Sequence, residues 1–167
     1  MDNLGELRDE GKIRHLGLTN FDTDHLQNVV DTGHEIVSNQ VQYSLIDRRP
    51  ERKMAQYCRG QGIHLLTSGT LAGGLLSDRY LGPAEPSRAA LTTASLNKYK
   101  QMVDVWGGWD LFQELLRALK RVADRYQVSI ADVAMRYILD RPAVAGVIVG
   151  VRLGPVSYTH LTLPTNR

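Results

Sequence analysis

The chain has 167 residues and a formal charge of only +2, with 43% apolar and 23% charged residues. That is enough for one domain with a sizeable core, and too balanced to point to a nucleic-acid or strongly acidic partner. One cysteine, Cys58, excludes an internal disulfide and fits a reducing compartment. No apolar run is long enough to cross a bilayer, and Met1 is followed by Asp2 and Glu6 rather than by a signal peptide, so a cytoplasmic protein is expected.

In chain order, Ile13 to Leu18 is a short β-compatible run followed by Thr19, Asn20 and Phe21. Asp22 or Thr23 then caps a helix through about Asp31, with Leu26, Val29 and Val30 on its apolar stripe and Gly33 at its end. Ile36 to Tyr43 is a second strand, and it carries three carboxamides, Asn39, Gln40 and Gln42. Amides are poor strand formers, and a buried one costs free energy unless its donors and acceptors are matched. Either they bond one another and the backbone, or one of them waits for a ligand.

Arg48, Arg49, Arg52 and Lys53 form a dense basic patch, read as a solvated face. Pro50 suits a first helical turn, and a helix from Glu51 to Arg59 ends at Gly60 and Gly62. Ile63 to Thr67 is a third strand, apolar enough to be covered on both sides. Ser77 to Ala94 is polar and holds Pro83 and Pro86, which makes it a loop. From Trp109 to Tyr126, Leu111, Phe112, Leu115, Leu116, Leu119 and Val122 recur at helical spacing. Ser129 caps a further helix, with Asp132 in the capping-box position, and Pro142 stops it near Asp140. Val144 to Val149 is a fourth strand.

Strands alternating with helices build an α/β fold with a parallel sheet and right-handed crossovers. Four such strands make either a small open sheet or half of an eight-stranded barrel, which typically needs about 250 residues.

In any parallel α/β arrangement, ligands bind beyond the carboxyl ends of the strands. Four stretches occupy such ends: Thr19 to Phe21, Gln40 to Ser44, Ser68 to Gly74, and Gly150 to Arg152. Taken alone, Thr19 and Asn20 read as turn and cap residues. Gln40 points to the face opposite Asn39 and Val41, and a carboxamide suits a ligand with an amide of its own. Gly69, Gly73 and Gly74 let backbone N–H groups approach a phosphate. Arg152 is either a two-point phosphate clamp or a surface arginine.

Other chemistries fail. His15, His25, His34 and His64 lack metal-ligand spacing, and His15 and His64, set within strands, are expected to be core-packed or hydrogen-bonded rather than catalytic. Cys58 lies mid-helix without a nearby base. No GxSxG elbow, Walker loop or GxGxxG fingerprint occurs.

The stretches "GKIRHLGLTNF", "SNQVQYSLIDRRPE", "LAGGLLSDRYLG" and "VIVGVR" resemble, in order and spacing, the C-terminal half of an aldo/keto reductase, over about Leu4 to Gly154. The resemblance implies a partial TIM (β/α)₈ barrel of about four parallel βα units, strands five to eight of the family barrel, binding NADP across the strand ends. By position, Thr19, Asn20 and Gln40 would hold the nicotinamide carboxamide, while Asn39 and Gln42 serve the strand. Gly69, Leu71 and Gly73 would lie along the pyrophosphate, and Arg152 would meet the 2′-phosphate. Ser68 stands where the family usually has an aromatic stacked on the nicotinamide, a contact worth about 0.5–1.5 kcal/mol beyond area burial. The family's aspartate, tyrosine, lysine and histidine belong to the first four βα units, so no catalytic residue is expected here.

The resemblance therefore implies a fragment of an NADP-dependent oxidoreductase acting on small carbonyl substrates, inactive alone, with neither nucleic-acid nor membrane partner. Its rivals are an NADPH-binding regulatory subunit and a non-functional truncated product. Half a barrel leaves unpaired strand edges, so self-association is expected. The last stretch, "PVSYTHLTLPTNR", resembles a translated cloning-adaptor sequence. The expected division is residues 1–154 as half-barrel and 155–167 as a non-native or disordered tail without function.

Overall fold

A computed structural model describes residues 2–150; Arg152 and the tail 155–167 lie outside the described residues. The elements in order are α1 (Asp2–Asp9), β1 (Leu16–Thr19), α2 (Thr23–Asp31), β2 (Ile36–Gln42), α3 (Met54–Gln61), β3 (His64–Ser68), α4 (Ala94–Trp106), α5 (Gly108–Tyr126), α6 (Ile130–Leu139) and β4 (Val144–Val147).

The local signals act as the residue types require. Asp22 caps α2 by accepting the His25 N–H at 2.8 Å, and Leu26 at the centre of the apolar stripe is fully buried. Ser129 and Asp132 form a reciprocal capping box on α6: Ser129 Oγ accepts the Asp132 N–H at 3.1 Å, and Asp132 Oδ2 accepts the Ser129 N–H at 2.9 Å. The helix expected from Glu51 divides into a 3₁₀ turn, Arg49–Glu51, and α3, because Lys53 between them leaves the helical region at φ −135°. Gly62, at φ +70°, closes α3 in the left-handed conformation.

Helix α4 falls outside the elements expected from sequence. Thr93 Oγ1 caps it by accepting the Leu96 N–H at 3.1 Å, and Leu96, Tyr99 and Val103 bury one stripe of it. Lys100 on α4 is buried but paired, with Glu85 in the preceding loop and with Asp104 one turn on, so the loop is tied to the helix.

All four strands are parallel and pair in sequence order, β1-β2-β3-β4. A doubly wound open sheet reverses its order at a switch point, whereas a barrel adds each strand beside the last. The order here is the barrel order. Right-handed crossovers between sequential neighbours put their connections on one face, and the core is built accordingly. Leu16, Ile36, Val41 and Leu65 from the sheet pack against Leu26 of α2 and Met54, Ala55 and Cys58 of α3. A second cluster joins α4, α5 and α6 through Val103, Phe112, Leu116, Ile130 and Ala134. Burying a side chain of this size contributes about 1.5–3 kcal/mol.

The opposite face of the sheet is the concave one. Register places Gly17 beside Ser38 and His64, then Thr19 beside Gln40 and Leu66, then Gln42 beside Ser68. Here the expectation for the third strand is corrected: it is covered on one face only, with Leu65 and Thr67 fully buried while His64 is exposed. His15 is exposed as well, so neither histidine is core-packed. No helix among the described residues is long and apolar enough to cross a membrane.

Candidate functional site

The three amides of β2 have different fates. Asn39 is fully buried toward the helices, and its Nδ2 donates to the Phe21 carbonyl at 2.9 Å. Gln42 donates to Asp47 Oδ2 at 2.7 Å. Gln40, on the concave face, has no side-chain hydrogen bond to any described residue. Its register partner is Thr19, and its main-chain oxygen accepts the N–H of Asn20 at 2.8 Å. Asn20 sits at φ +60°, a conformation that non-glycine residues adopt rarely and that recurs at ligand sites. The side chains of Thr19 and Asn20 also lack a partner among the described residues. Three polar side chains thus stand without partners among the described residues at the carboxyl ends of β1 and β2.

One strand over, the glycine loop follows β3. The N–H groups of Gly69, Thr70 and Leu71 reach no acceptor among the described residues. Successive free N–H groups of this kind form an anion-binding concavity. Gly69 and Gly73 adopt φ +68° and +66°, which an L side chain resists. The loop walls a cleft of about 570 Å³ together with Ser77, Arg79, Ser95, Tyr99 and Gly150. Register puts Gly69 one strand across and three residues beyond Gln40, roughly 11 Å away. A ligand with an amide at one end and phosphates at the other matches that spacing. Ser68, between the two, offers only a hydroxyl at 3.4 Å from the Val41 carbonyl and no ring to stack.

Arg79 and Tyr99 carry no local signal in the sequence. Arg79 belongs to the polar loop, where a lone cation carries no signal, and Tyr99 sits on the unforeseen α4. A larger cleft of about 730 Å³ lies between α3 and the Arg141–Pro142 turn, against Tyr43 and Glu51. It is on the helix side, and its phenol and carboxylate are engaged with each other: Tyr43 donates to Glu51 at 2.9 Å, and Arg48 pairs with the same carboxylate. Burial first, then that bond to Glu51, pushes the Tyr43 phenol well above its ordinary value. Cys58 is likewise inert, its thiol pushed up to about 11 by burial.

The turn beyond β2 is held by Asp47, whose side chain is only 2% exposed. Burial alone would raise its carboxyl, but hydrogen bonds from Arg49 and Gln42 outweigh this and hold it below the usual 3.8. A depressed carboxyl stabilises the fold above its unfolded value and loses that contribution as pH falls through the folded one. Asp47→Asn is expected to lower stability by about 1–2 kcal/mol at pH 7, and to lose less than the parent between pH 7 and pH 3 in urea titrations. Equal losses would show that Asp47 does not carry the acid sensitivity.

A family model described as the aldo/keto reductase family matches residues 1–154. The chain belongs to the aldo/keto reductase family. This aldo/keto reductase chain is 34% identical over 131 residues to flagellar radial spoke protein 5 of Chlamydomonas reinhardtii, covering 77% of the chain and 25% of that protein. It is 28% identical over 152 residues to the NADH-specific methylglyoxal reductase of Escherichia coli, covering 88% of the chain and 42% of that protein. Among solved structures, an aldo/keto reductase from Klebsiella pneumoniae in complex with NADP and acetate superposes with a TM-score of 0.60 at 20% identity, over 89% of this chain and 42% of that one. The chain thus spans less than half the length of these relatives, and its four parallel strands match part of a TIM barrel.

Proposed function

We propose that this chain supplies the cofactor shelf, strands five to eight, of an NADP-dependent oxidoreductase that reduces aldehydes or ketones. The observation that carries the reading is the unpaired Gln40 carboxamide, in register with Thr19 and beside a left-handed Asn20. When bound, the nicotinamide supplies the hydride that reduces the carbonyl carbon. Thr19, Asn20 and Gln40 orient the nicotinamide end through its carboxamide. The N–H groups of Gly69, Thr70 and Leu71 hold phosphate oxygens, the bare Cα atoms of Gly69 and Gly73 allow close approach, and Arg79 adds positive charge. Arg152 discriminates NADPH from NADH through the 2′-phosphate. NADP is supported by the Klebsiella complex, whereas the E. coli relative is described as NADH-specific.

The proton donor to the carbonyl oxygen, and the aspartate, lysine and histidine that accompany it, come from residues outside this chain. Tyr43 is buried against Glu51 and Tyr57 lies on α3 at the helix side, so neither reaches the concave face. The chain alone is expected to show no carbonyl-dependent NADPH oxidation.

The test pairs two leucines in the intact protein. Gln40→Leu is expected to weaken NADPH binding about tenfold while leaving the urea midpoint unchanged, because no protein hydrogen bond is lost. Gln42→Leu is expected to lower the midpoint instead. NADPH affinity unaffected by Gln40→Leu would overturn the reading. Similarity to a radial spoke protein favours a second one, cofactor binding without turnover inside an assembly; NADPH binding by an intact protein that reduces no carbonyl would select it.

A further inference from the structure

We propose that Tyr99 of α4 is a ligand-binding residue of the glycine loop: its ring fixes the loop, and its hydroxyl donates to a phosphate oxygen of the bound dinucleotide. The inference rests on the reading of this cleft as a dinucleotide site.

Tyr99 is only 8% exposed, held on the buried stripe of α4 with Leu96 and Val103. One ring lies against both ends of the loop. A Cβ on Gly69 would come within 2.1 Å of the Tyr99 hydroxyl oxygen, and one on Gly73 within 2.8 Å of its Cδ2. The absent side chains of the two glycines are the space that Tyr99 occupies. The hydroxyl nevertheless has no partner among the described residues and is not fully buried, and Tyr99 lines the cleft together with Gly69, Leu71 and Gly73. A phenol this sheltered, left without a protein partner, is matched only by solvent or by a ligand.

Its position decides which ligand group that is. The hydroxyl lies against Gly69, whose N–H begins the run of three free N–H groups. An anion seated on those N–H groups is within reach of the phenol, and an anion requires a donor. Tyr99 stays one: burial, with the charge of Asp47 nearby, raises its phenol above the ordinary value, which favours the protonated, donating form. Arg79, lining the same cleft, brings charge where Tyr99 brings direction.

Tyr99→Phe keeps the ring and removes the donor. In the intact protein it is expected to raise the Kd for NADPH about tenfold, in fluorescence titration, and to raise the inhibition constant of inorganic pyrophosphate in parallel. The urea midpoint is expected to stay within error of the parent. NADPH and pyrophosphate binding equal to the parent's would overturn the role of the hydroxyl. A lowered urea midpoint with pyrophosphate binding unchanged would reduce Tyr99 to packing and overturn it as well. A parent protein that bound neither NADPH nor pyrophosphate would instead sink the dinucleotide reading itself.

Discussion

Replacing Gly69 by alanine is expected to lower stability by about 3 kcal/mol and to abolish measurable NADPH binding. Two effects add. At φ +68° an L residue meets its own backbone, which costs roughly 1–2 kcal/mol. The new Cβ would also stand 2.1 Å from the Tyr99 hydroxyl oxygen and 2.8 Å from Cζ, so the ring must move. Tyr99 is wedged in the core, and overpacking of that kind costs about 1–3 kcal/mol. Against a total stability of about 5–15 kcal/mol, the sum is large.

Gly74 provides the control, since it sits at φ +100° with nothing among the described residues within 4 Å of a Cβ. Gly74→Ala is therefore expected to show the conformational cost alone. In a Tyr99→Ala background the cost of Gly69→Ala should fall to that same level, because the obstacle is gone. Urea titrations of the four variants decide it. Equal costs for Gly69→Ala and Gly74→Ala in the parent would mean that the ring does not abut the loop.

What was legible in the sequence follows the range of the interaction that carries each feature. Caps and strand tips are local: Asp22, Ser129 with Asp132, and Gly62 each marked an element end by their own chemistry. Gln40 is separable from Asn39 because strand alternation alone puts it on the other face, and the amide nitrogens of Asn39 and Gln42 are engaged by Phe21 and Asp47. Helix α4 is poorly marked in the sequence although Thr93, Leu96, Tyr99, Val103 and Gly107 form a capped amphipathic stretch. Its buried Lys100 breaks the apolar stripe, and the ion pairs that make the burial tolerable come from Glu85, across the loop. The environment of the third strand is hidden from the sequence for the same reason. Leu65 and Leu66 state that β3 is apolar, but what covers each face is a property of other segments, and His64 shows that one face is open. Tyr99 and Arg79 join the site only through folding of a long connection, which no local spacing announces.

Asn39→Asp, a change of one atom type, is expected to lower stability by about 4 kcal/mol at pH 7. Asn39 is fully buried, its Nδ2 donates to the Phe21 carbonyl at 2.9 Å, and its Oδ1 has no partner among the described residues. A carboxylate there loses the donor and turns negative charge toward a carbonyl oxygen; breaking the bond and burying the charge both count. The sign with pH is opposite to that of Asp47. A buried carboxyl has a folded pKa raised above about 3.9, so its neutral form stabilises the fold below that value and stability is lost as pH rises through the folded pKa. The deficit relative to the parent at the same pH should therefore shrink toward pH 4, where the protonated acid can again donate to Phe21. The consequence reaches the site, because the same bond anchors the turn that carries Asn20 at φ +60° and keeps its N–H on the Gln40 carbonyl. NADPH affinity should fall with the stability of that turn, although Asn39 faces away from the cleft. A deficit that stayed constant from pH 7 to pH 4 would mean that residue 39 is not sealed against the Phe21 carbonyl, and the turn would need another anchor.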